Sequence, residues 1–207
     1  METIVLKFGG TSVGSTDRIS AVADLIQAAS KEAFPVVVVS AMSGETNRLI
    51  DLAQSFGSEP NKREFDALVS TGEKVSASLV AIALNHLGLK AKSLSAAQFG
   101  MKTTSHFSRA KILDMNNDIL FQTIEEGYVP IITGFQGITA DGDTTTMGRG
   151  GSDTTAVAIA ASIKAKRCDI YTDVDGIYTT DPRIVPEAKK LDSISMEEML
   201  ELSGQGA

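Results

Sequence analysis

The chain has 207 residues, enough for one large domain or two small ones with a real buried core. Hydrophobic residues make up 43% and charged residues 22%, ordinary values for a water-soluble globular protein. A formal net charge of −7 argues against nucleic acid as the main partner, since phosphate backbones reward basic surfaces, but it leaves small anions open because they respond to the local field of a cleft.

The N-terminal METIVLKFGG lacks a basic segment followed by a long apolar run, so no signal peptide is expected. No apolar stretch approaches the roughly 20 residues that span a bilayer. Cys168 is the only cysteine, which excludes an intramolecular disulfide and suits a reducing compartment. Together these features predict a soluble cytoplasmic protein with no membrane partner.

Thr3–Phe8 (TIVLKF) and Pro35–Ser40 (PVVVVS) read as strands, the second apolar enough for a parallel strand covered on both faces. Between them Ile19, Val22, Ala23, Ile26 and Ala29 keep helical spacing, with Ser15 or Thr16 as N-cap. Lys62–His86 is a long helical stretch with a candidate break at Ser70-Thr71-Gly72 and Gly88 as its closing residue. A helix over Asn116–Glu126 leads into the strand Tyr128–Thr133. The loop Gly134–Gly151 then feeds an alanine-rich helix, Asp153–Ala165. The strand Arg167–Asp173, a turn-rich segment Asp175–Pro186 and a last helix with the capping box Ser195/Glu198 follow. This alternation predicts an α/β sandwich with a mostly parallel sheet, and no repeat or linker interrupts it. The ending Ser203-Gly204-Gln205-Gly206-Ala207 reads as a domain cut short.

Two glycine-rich segments fall at strand-to-helix junctions, where ligands bind in open α/β sheets. Lys7-Phe8-Gly9-Gly10-Thr11-Ser12 ends the first strand. It is not a Walker A loop, because Ser15-Thr16 stands where Lys-Ser/Thr is required. The lysine instead lies two residues before the first glycine, as a phosphate ligand or simply a solvated lysine beside a turn. In Met147-Gly148-Arg149-Gly150-Gly151-Ser152-Asp153, Ser152 or Asp153 suits a helix N-cap, which leaves unexplained the three glycines around one arginine. Arginine grips a carboxylate or phosphate through two parallel hydrogen bonds. Ser70-Thr71-Gly72-Glu73 adds a carboxylate to a helical pattern that glycine weakens, and Ser40–Asn47 (SAMSGETN) is either a hydroxyl-bearing substrate edge or a plain loop. The acidic pair Asp173 and Asp175 lacks the spacing of an EF-hand. His86 and His106 have no partners at metal-ligand spacing, and Cys168 reads as a small buried hydrophobe. The residue pattern therefore points to an enzyme with two anionic ligands, a nucleotide and a small acid.

The segments KFGGTSVGS, VVVVSAMSGETN, STGE, GFQG, TTMGRGGSDTTA, YTDVDGIYTTDPR and EEMLEL occur in this order and cover nearly the whole chain. Together they resemble the aspartokinases of the amino-acid kinase superfamily. The resemblance implies a three-layer α/β/α sandwich and MgATP-dependent phosphorylation of the aspartate side chain. The product would be 4-phospho-L-aspartate, on the route to lysine, threonine and methionine. It implies a triphosphate cradle at Lys7, Phe8, Gly9 and Gly10, with Ser40 beside the phosphates. Thr46 and Glu73 resemble substrate contacts, with Glu73 facing the α-ammonium. Arg149 resembles a clamp on a substrate carboxylate, with Gly150, Gly151 and Ser152 lining the same pocket, and Asp153 resembles the residue that orients catalytic lysine. Thr172, Asp173, Tyr178 and Arg183 resemble the nucleotide side. No protein ligand to a metal is implied beyond the Mg²⁺ that accompanies ATP. Full-length members imply a homodimer and continue into the rest of the kinase domain and ACT-type regulatory domains, which have no counterpart in these residues. Ser105–Gln122 matches none of these motifs. A superfamily kinase acting on acetylglutamate or a nucleoside monophosphate, and a non-catalytic ligand-binding chain, remain as alternatives.

Overall fold

The computed structural model describes residues 1–174, 176–195 and 197–199. From the N-terminus come β1 (Thr3–Phe8), α1 (Thr16–Ala29), β2 (Phe34–Val39), α2 (Glu45–Gln54), α3 (Lys62–Val69), α4 (Thr71–His86), β3 (Ala91–Leu94) and the single turn α5 (Ala96–Phe99). Then follow β4 (Met101–Thr103), β5 (Ile112–Met115), α6 (Asp118–Glu125), β6 (Val129–Thr133), β7 (Gln136–Ile138), β8 (Thr144–Thr146), α7 (Gly151–Ser162) and β9 (Cys168–Tyr171).

Five strands form one sheet in the order β3-β6-β2-β1-β9, with every neighbouring pair parallel. Because side chains alternate across a strand, the two faces of this sheet feed two separate cores. Ile4, Leu6 and Phe8 of β1, with Val37 and Val39 of β2, pack against Ile19, Val22 and Ile26 of α1 and Ala77, Val80 and Leu84 of α4. Val5, Val36, Val38 and Ile132 point the other way, toward Phe99 of α5, Leu120 and Ile124 of α6 and Ala156 and Ile159 of α7. The expected three-layer α/β/α sandwich is thus present. The same alternation puts Lys7 on the face of Val5, the α7 side, and leaves it near the carboxyl end of β1.

Helix ends follow their sequence signals. Ser15 caps α1 by accepting the Arg18 N–H at 3.3 Å. Gly88, at φ +82°, lies one residue beyond the cap residue Leu87. Its N–H reaches the Asn85 carbonyl, and the Leu89 N–H reaches that of Leu84 at 3.0 Å, a Schellman closure. The helical stretch 62–86 breaks at Ser70, as its glycine and hydroxyl residues suggested. By length and composition this stretch would pass for a membrane-crossing helix, contrary to the sequence expectation, but half of its most apolar window is buried within the protein.

Two expectations need correction. The alanine-rich helix starts two residues earlier than Asp153 and stops at Ser162, where Lys164 takes a left-handed φ of +52° and Ala165 N–H closes onto Ala160. The segment Gly134–Gly151 is not an unstructured loop. It carries β7 and β8, which join β4 and β5 in a second sheet of order β5-β4-β7-β8. The unassigned stretch Ser105–Gln122 supplies β5 and most of α6.

Residues beyond Thr172 form a separate unit. In it β10 (Ile177–Tyr178) pairs antiparallel with β11 (Lys190–Leu191), and Ser195 and Glu198 form the expected capping box. Asp175, Met196 and residues 200–207, which include part of the EEMLEL motif and the C-terminal SGQGA, lie outside the described residues.

The second sheet leaves no room at Gly137. A Cβ there would lie 2.2 Å from Thr103 Cγ2 and 3.2 Å from the Met101 carbonyl. Thr103 is β-branched and cannot swing aside. Gly137→Ala is therefore expected to lower unfolding stability by about 2 kcal/mol, read from urea unfolding, and an unchanged midpoint would contradict this packing.

Candidate active site

The loop after β1 turns back over the carboxyl ends of the parallel strands. Gly9 donates its N–H to the Tyr171 carbonyl, and its own carbonyl accepts from Ser12 and Val13. Gly10 lies against the segment after β2 so closely that a Cβ would come within 2.9 Å of the Ala41 carbonyl, while Ser43 N–H bonds to the Gly10 carbonyl. Glycine at position 10 is a packing requirement of two backbones. Lys7 emerges beside this turn with its side chain only 9% exposed, and its Nζ lies 2.6 Å from Asp153 Oδ1.

Asp153 sits in the first turn of α7, where the helix dipole favours a carboxylate. The N-cap of α7 is Gly150, left-handed at φ +76°, and makes no side-chain cap bond. Neither Ser152 nor Asp153 is the N-cap, so the simple capping explanation for those residues does not hold. The glycines around Arg149 serve different ends: Gly148 and Gly150 take positive φ, whereas a Cβ on Gly151 would meet the Phe135 ring at 2.9 Å. Gly151 is there to pack, not to admit a ligand. The Arg149 side chain is exposed and holds no hydrogen bond or ion pair among the described residues. Helix α2 enters from the other side with another left-handed glycine, Gly44, as its N-cap. By contrast α1, α3 and α5 are capped by the side chains of Ser15, Asn61 and Ser95. The starts of α2 and α7 at the cleft thus keep first-turn N–H groups unclaimed by a side-chain cap, as do the starts of α4, which carries Glu73, and α6.

Glu73 is brought in from below by α4. Gly72 allows it, since a Cβ there would stand 2.9 Å from Ala41 Cβ. Glu73 is 3% exposed; its Oε1 accepts the Ala41 N–H at 3.2 Å, and its buried Oε2 has no hydrogen-bond partner among the described residues. Burial pushes its pKa up to about 7, against the smaller opposing pull of backbone donors.

A single cleft of about 330 Å³ collects Lys7, Gly10, Ser40, Thr46, Glu73, Arg149, Gly150, Gly151, Ser152 and Asp153. Ala41, Met42, Ser43, Gly44, Phe135 and Gly148 complete its lining and were not singled out from the sequence, although SAMSGETN, GFQG and the arginine loop contain them. The Phe8 side chain is elsewhere, fully buried in the α1/α4 core and stacked on Tyr171 with ring centroids 4.6 Å apart. Thr172 follows β9, whereas Asp173, Tyr178 and Arg183 belong to the second unit. There Tyr178 faces Lys190 across the β10/β11 pair, and the Arg183 guanidinium grips Asp181, whose carboxyl it holds well below the usual range. Cys168 is a half-buried thiol packed against the α6/α7 core, and burial pushes its pKa up. His86 and His106 are exposed, and the described residues contain no group of three His, Cys, Asp or Glu able to hold a metal ion. The cleft offers cationic and N–H donors for an anion and one buried carboxylate for a cation.

The amino acid kinase family model matches residues 2–207. Aspartate kinase of Pseudomonas putida is 51% identical over 209 residues, covering all of this chain and 51% of that protein. The structure of aspartate kinase from Synechocystis superposes with a TM-score of 0.85 at 48% identity, covering 98% of this chain and 34% of that one. E. coli aspartokinase III in complex with aspartate and ADP gives 0.86 at 31% identity, covering 98% and 56%. The chain spans about half the length of the curated relatives it matches.

The raised pKa of Glu73 has a stability consequence. Between pH 4.5 and 7 the unfolded chain has lost this proton while the native state keeps it, so stability falls as pH rises through that window. Glu73→Gln carries no such proton. The wild-type minus Gln difference in unfolding free energy is expected to decline by on the order of 3 kcal/mol between pH 4.5 and 7.5. Parallel pH profiles of urea unfolding measure it, and a flat difference would show that the carboxylate is not desolvated.

Proposed function

This chain belongs to the amino acid kinase family, and from that premise we propose that it carries the phosphoryl-transfer site of an aspartate kinase. The reaction is transfer of the γ-phosphoryl group of MgATP to the side-chain carboxylate of L-aspartate, giving 4-phospho-L-aspartate. That product feeds lysine, threonine and methionine biosynthesis. One observation carries the reading: Lys7, Arg149 and a buried Glu73 carboxylate line the same cleft. An unblocked amino acid has complementary groups, an α-ammonium for Glu73 and a carboxylate for Arg149. The similarity to the aspartate- and ADP-bound E. coli enzyme supports the same assignment.

In the mechanism, a side-chain carboxylate oxygen of aspartate attacks the γ-phosphorus, and the bond to the β,γ-bridging oxygen breaks with its electron pair leaving on ADP. A model aspartate side chain has a pKa of about 3.9, so the nucleophile is already ionised at neutral pH and needs no general base. Positioning and charge neutralisation remain. Lys7 supplies a cation to the transferred group, and Asp153, 2.6 Å from its Nζ, fixes where that ammonium stands. Gly10 and the unclaimed N–H groups at the start of α7 receive phosphate oxygens, with Ser40 just after β2 beside them, while Gly9, whose N–H is held by the Tyr171 carbonyl, shapes the turn. Phe8 contributes only through its backbone. Thr46 and Glu73 hold the amino end of aspartate; the approaching ammonium draws Glu73 to its charged form. Arg149 grips a substrate carboxylate, while Gly150, Gly151 and Ser152 form the wall behind it. Mg²⁺ bound with the nucleotide would add further neutralisation of phosphate charge. The nucleotide-side roles of Thr172, Asp173, Tyr178 and Arg183, and a dimer of the longer protein, rest on the motif resemblance.

Hydroxylamine trapping of acyl phosphate tests the reaction, with aspartate, glutamate, N-acetylglutamate and UMP offered as acceptors. Aspartate is the expected acceptor, and turnover on another acceptor with none on aspartate would defeat the reading. Two variants separate the roles. Lys7→Ala is expected to lower kcat by a factor on the order of 10³, since its charge is matched to the transition state. Arg149→Ala is expected to raise the aspartate KM by about a hundredfold through loss of a bidentate pair. An unchanged aspartate KM in Arg149→Ala would remove the clamp.

A further inference from the structure

Arg149 is exposed and has no side-chain partner among the described residues, so its backbone alone decides where the guanidinium starts from. That backbone is short. It runs from Thr146, the last residue of β8, through Met147 and Gly148 to the start of α7. Gly148 sits against the Ser108 carbonyl, which a Cβ would approach to 3.3 Å, and its own carbonyl accepts the Gly151 N–H. Both supports of the loop, Thr146 and Ser108, converge on one side chain.

That side chain is Asp66 of α3, a carboxylate with 0% exposure. Oδ2 accepts the backbone N–H groups of Ser108 at 2.8 Å and Thr146 at 2.7 Å. Oδ1 accepts the hydroxyls of Ser108 at 2.9 Å and Thr146 at 3.0 Å. Four neutral donors meet two oxygens, and the arrangement contains no acceptor. An asparagine would turn an NH₂ toward one of these donor pairs. Ser108 also pays for its place with a left-handed φ of +65°, unusual for a residue with a Cβ. Apolar packing in its place would leave these four donors unpaired, so the carboxylate holds α3 to β8 and at the same time locks two backbones at the root of the arginine loop.

We propose that Asp66 is a positioning residue for Arg149: by clamping Ser108 and Thr146 it sets the loop that presents the guanidinium to the aspartate carboxylate. The proposal rests on the clamp role of Arg149 given above. It acts at the substrate end of the cleft; the phosphate end is seated separately, by Gly151 of α7 against Phe135 and by the Lys7–Asp153 pair.

Steady-state kinetics on the longest active form of the protein tests this with Asp66→Asn, Arg149→Ala and the double variant. Asp66→Asn is expected to raise the aspartate KM by about tenfold and to leave the ATP KM within about twofold, because a displaced loop loses charge-assisted bonds to one substrate only. In the Arg149→Ala background the same change is expected to add nothing, the signature of two residues acting through one contact. If Asp66→Asn does not fold, Ser108→Ala and Thr146→Val each remove one hydroxyl donor and are expected to raise the aspartate KM by about threefold. Equal effects on both substrates, effects that multiply with Arg149→Ala, or an unchanged aspartate KM in every folded variant would overturn the positioning role. An Arg149→Ala enzyme with normal aspartate KM would instead defeat the clamp reading, and the proposal with it.

Discussion

The pair formed by Lys7 and Asp153 joins the end of strand β1 to the first turn of α7, and the cleft is organised around it. The lysine is nearly buried, and a buried ammonium needs a partner and further donors' targets to be tolerated. Asp153 supplies the opposite charge at 2.6 Å and is itself stabilised by the positive end of α7. A lysine ammonium has three donors, so this pairing leaves donor capacity for an anion in the cleft. The parallel sheet makes the arrangement possible, because it brings the carboxyl ends of β1 and β2 to one edge and the starts of α2 and α7 above them.

Charge is distributed unevenly across that edge. Lys7, Arg149 and two glycine-started helices face one way, while Glu73 comes up through α4 with one oxygen lacking a hydrogen-bond partner among the described residues. In the absence of a cation, burial favours its protonated form near neutral pH. A ligand bearing an ammonium removes that penalty, so part of its binding free energy comes from relieving a cost already built into the fold. A neutral or N-acylated ligand would leave the cost in place. Under the proposed assignment, selectivity for a free amino group would follow from the burial of Glu73 and would need no large set of contacts.

The sequence revealed the central layer well because its signals are strong. Apolar runs such as PVVVVS admit few readings, and α1 and α4 announce their faces and ends through Ser15, Ile19 to Ile26 and Gly88. The second sheet was illegible for an equally physical reason. Its strands β4, β7 and β8 are three residues long, and TTT at 144–146 has neither apolar alternation nor length. Ten of the sixteen residues around the cleft were named from their motifs. The ones missed contribute backbone or packing, as Ala41 does with its N–H to Glu73, and such roles leave no chemical mark on residue type. Asp66 was missed because a single aspartate inside a helical pattern reads as surface. Only the fold reveals that four donors close over it.

The glycines show why motif and mechanism are easily confused. GRGG looks like a loop opened for a ligand, yet Gly151 is demanded by Phe135 and Met147, and Gly10 by the Ala41 carbonyl. These residues bring elements of the protein together more tightly than any side chain would allow. The cleft gains its precision from that packing: the arginine loop is trapped between α7, which Gly151 seats against Phe135, and β8, which Asp66 holds at Thr146. An exposed arginine on a long free loop would spend binding energy on ordering itself. On a segment anchored at both ends, most of that ordering is complete before substrate arrives.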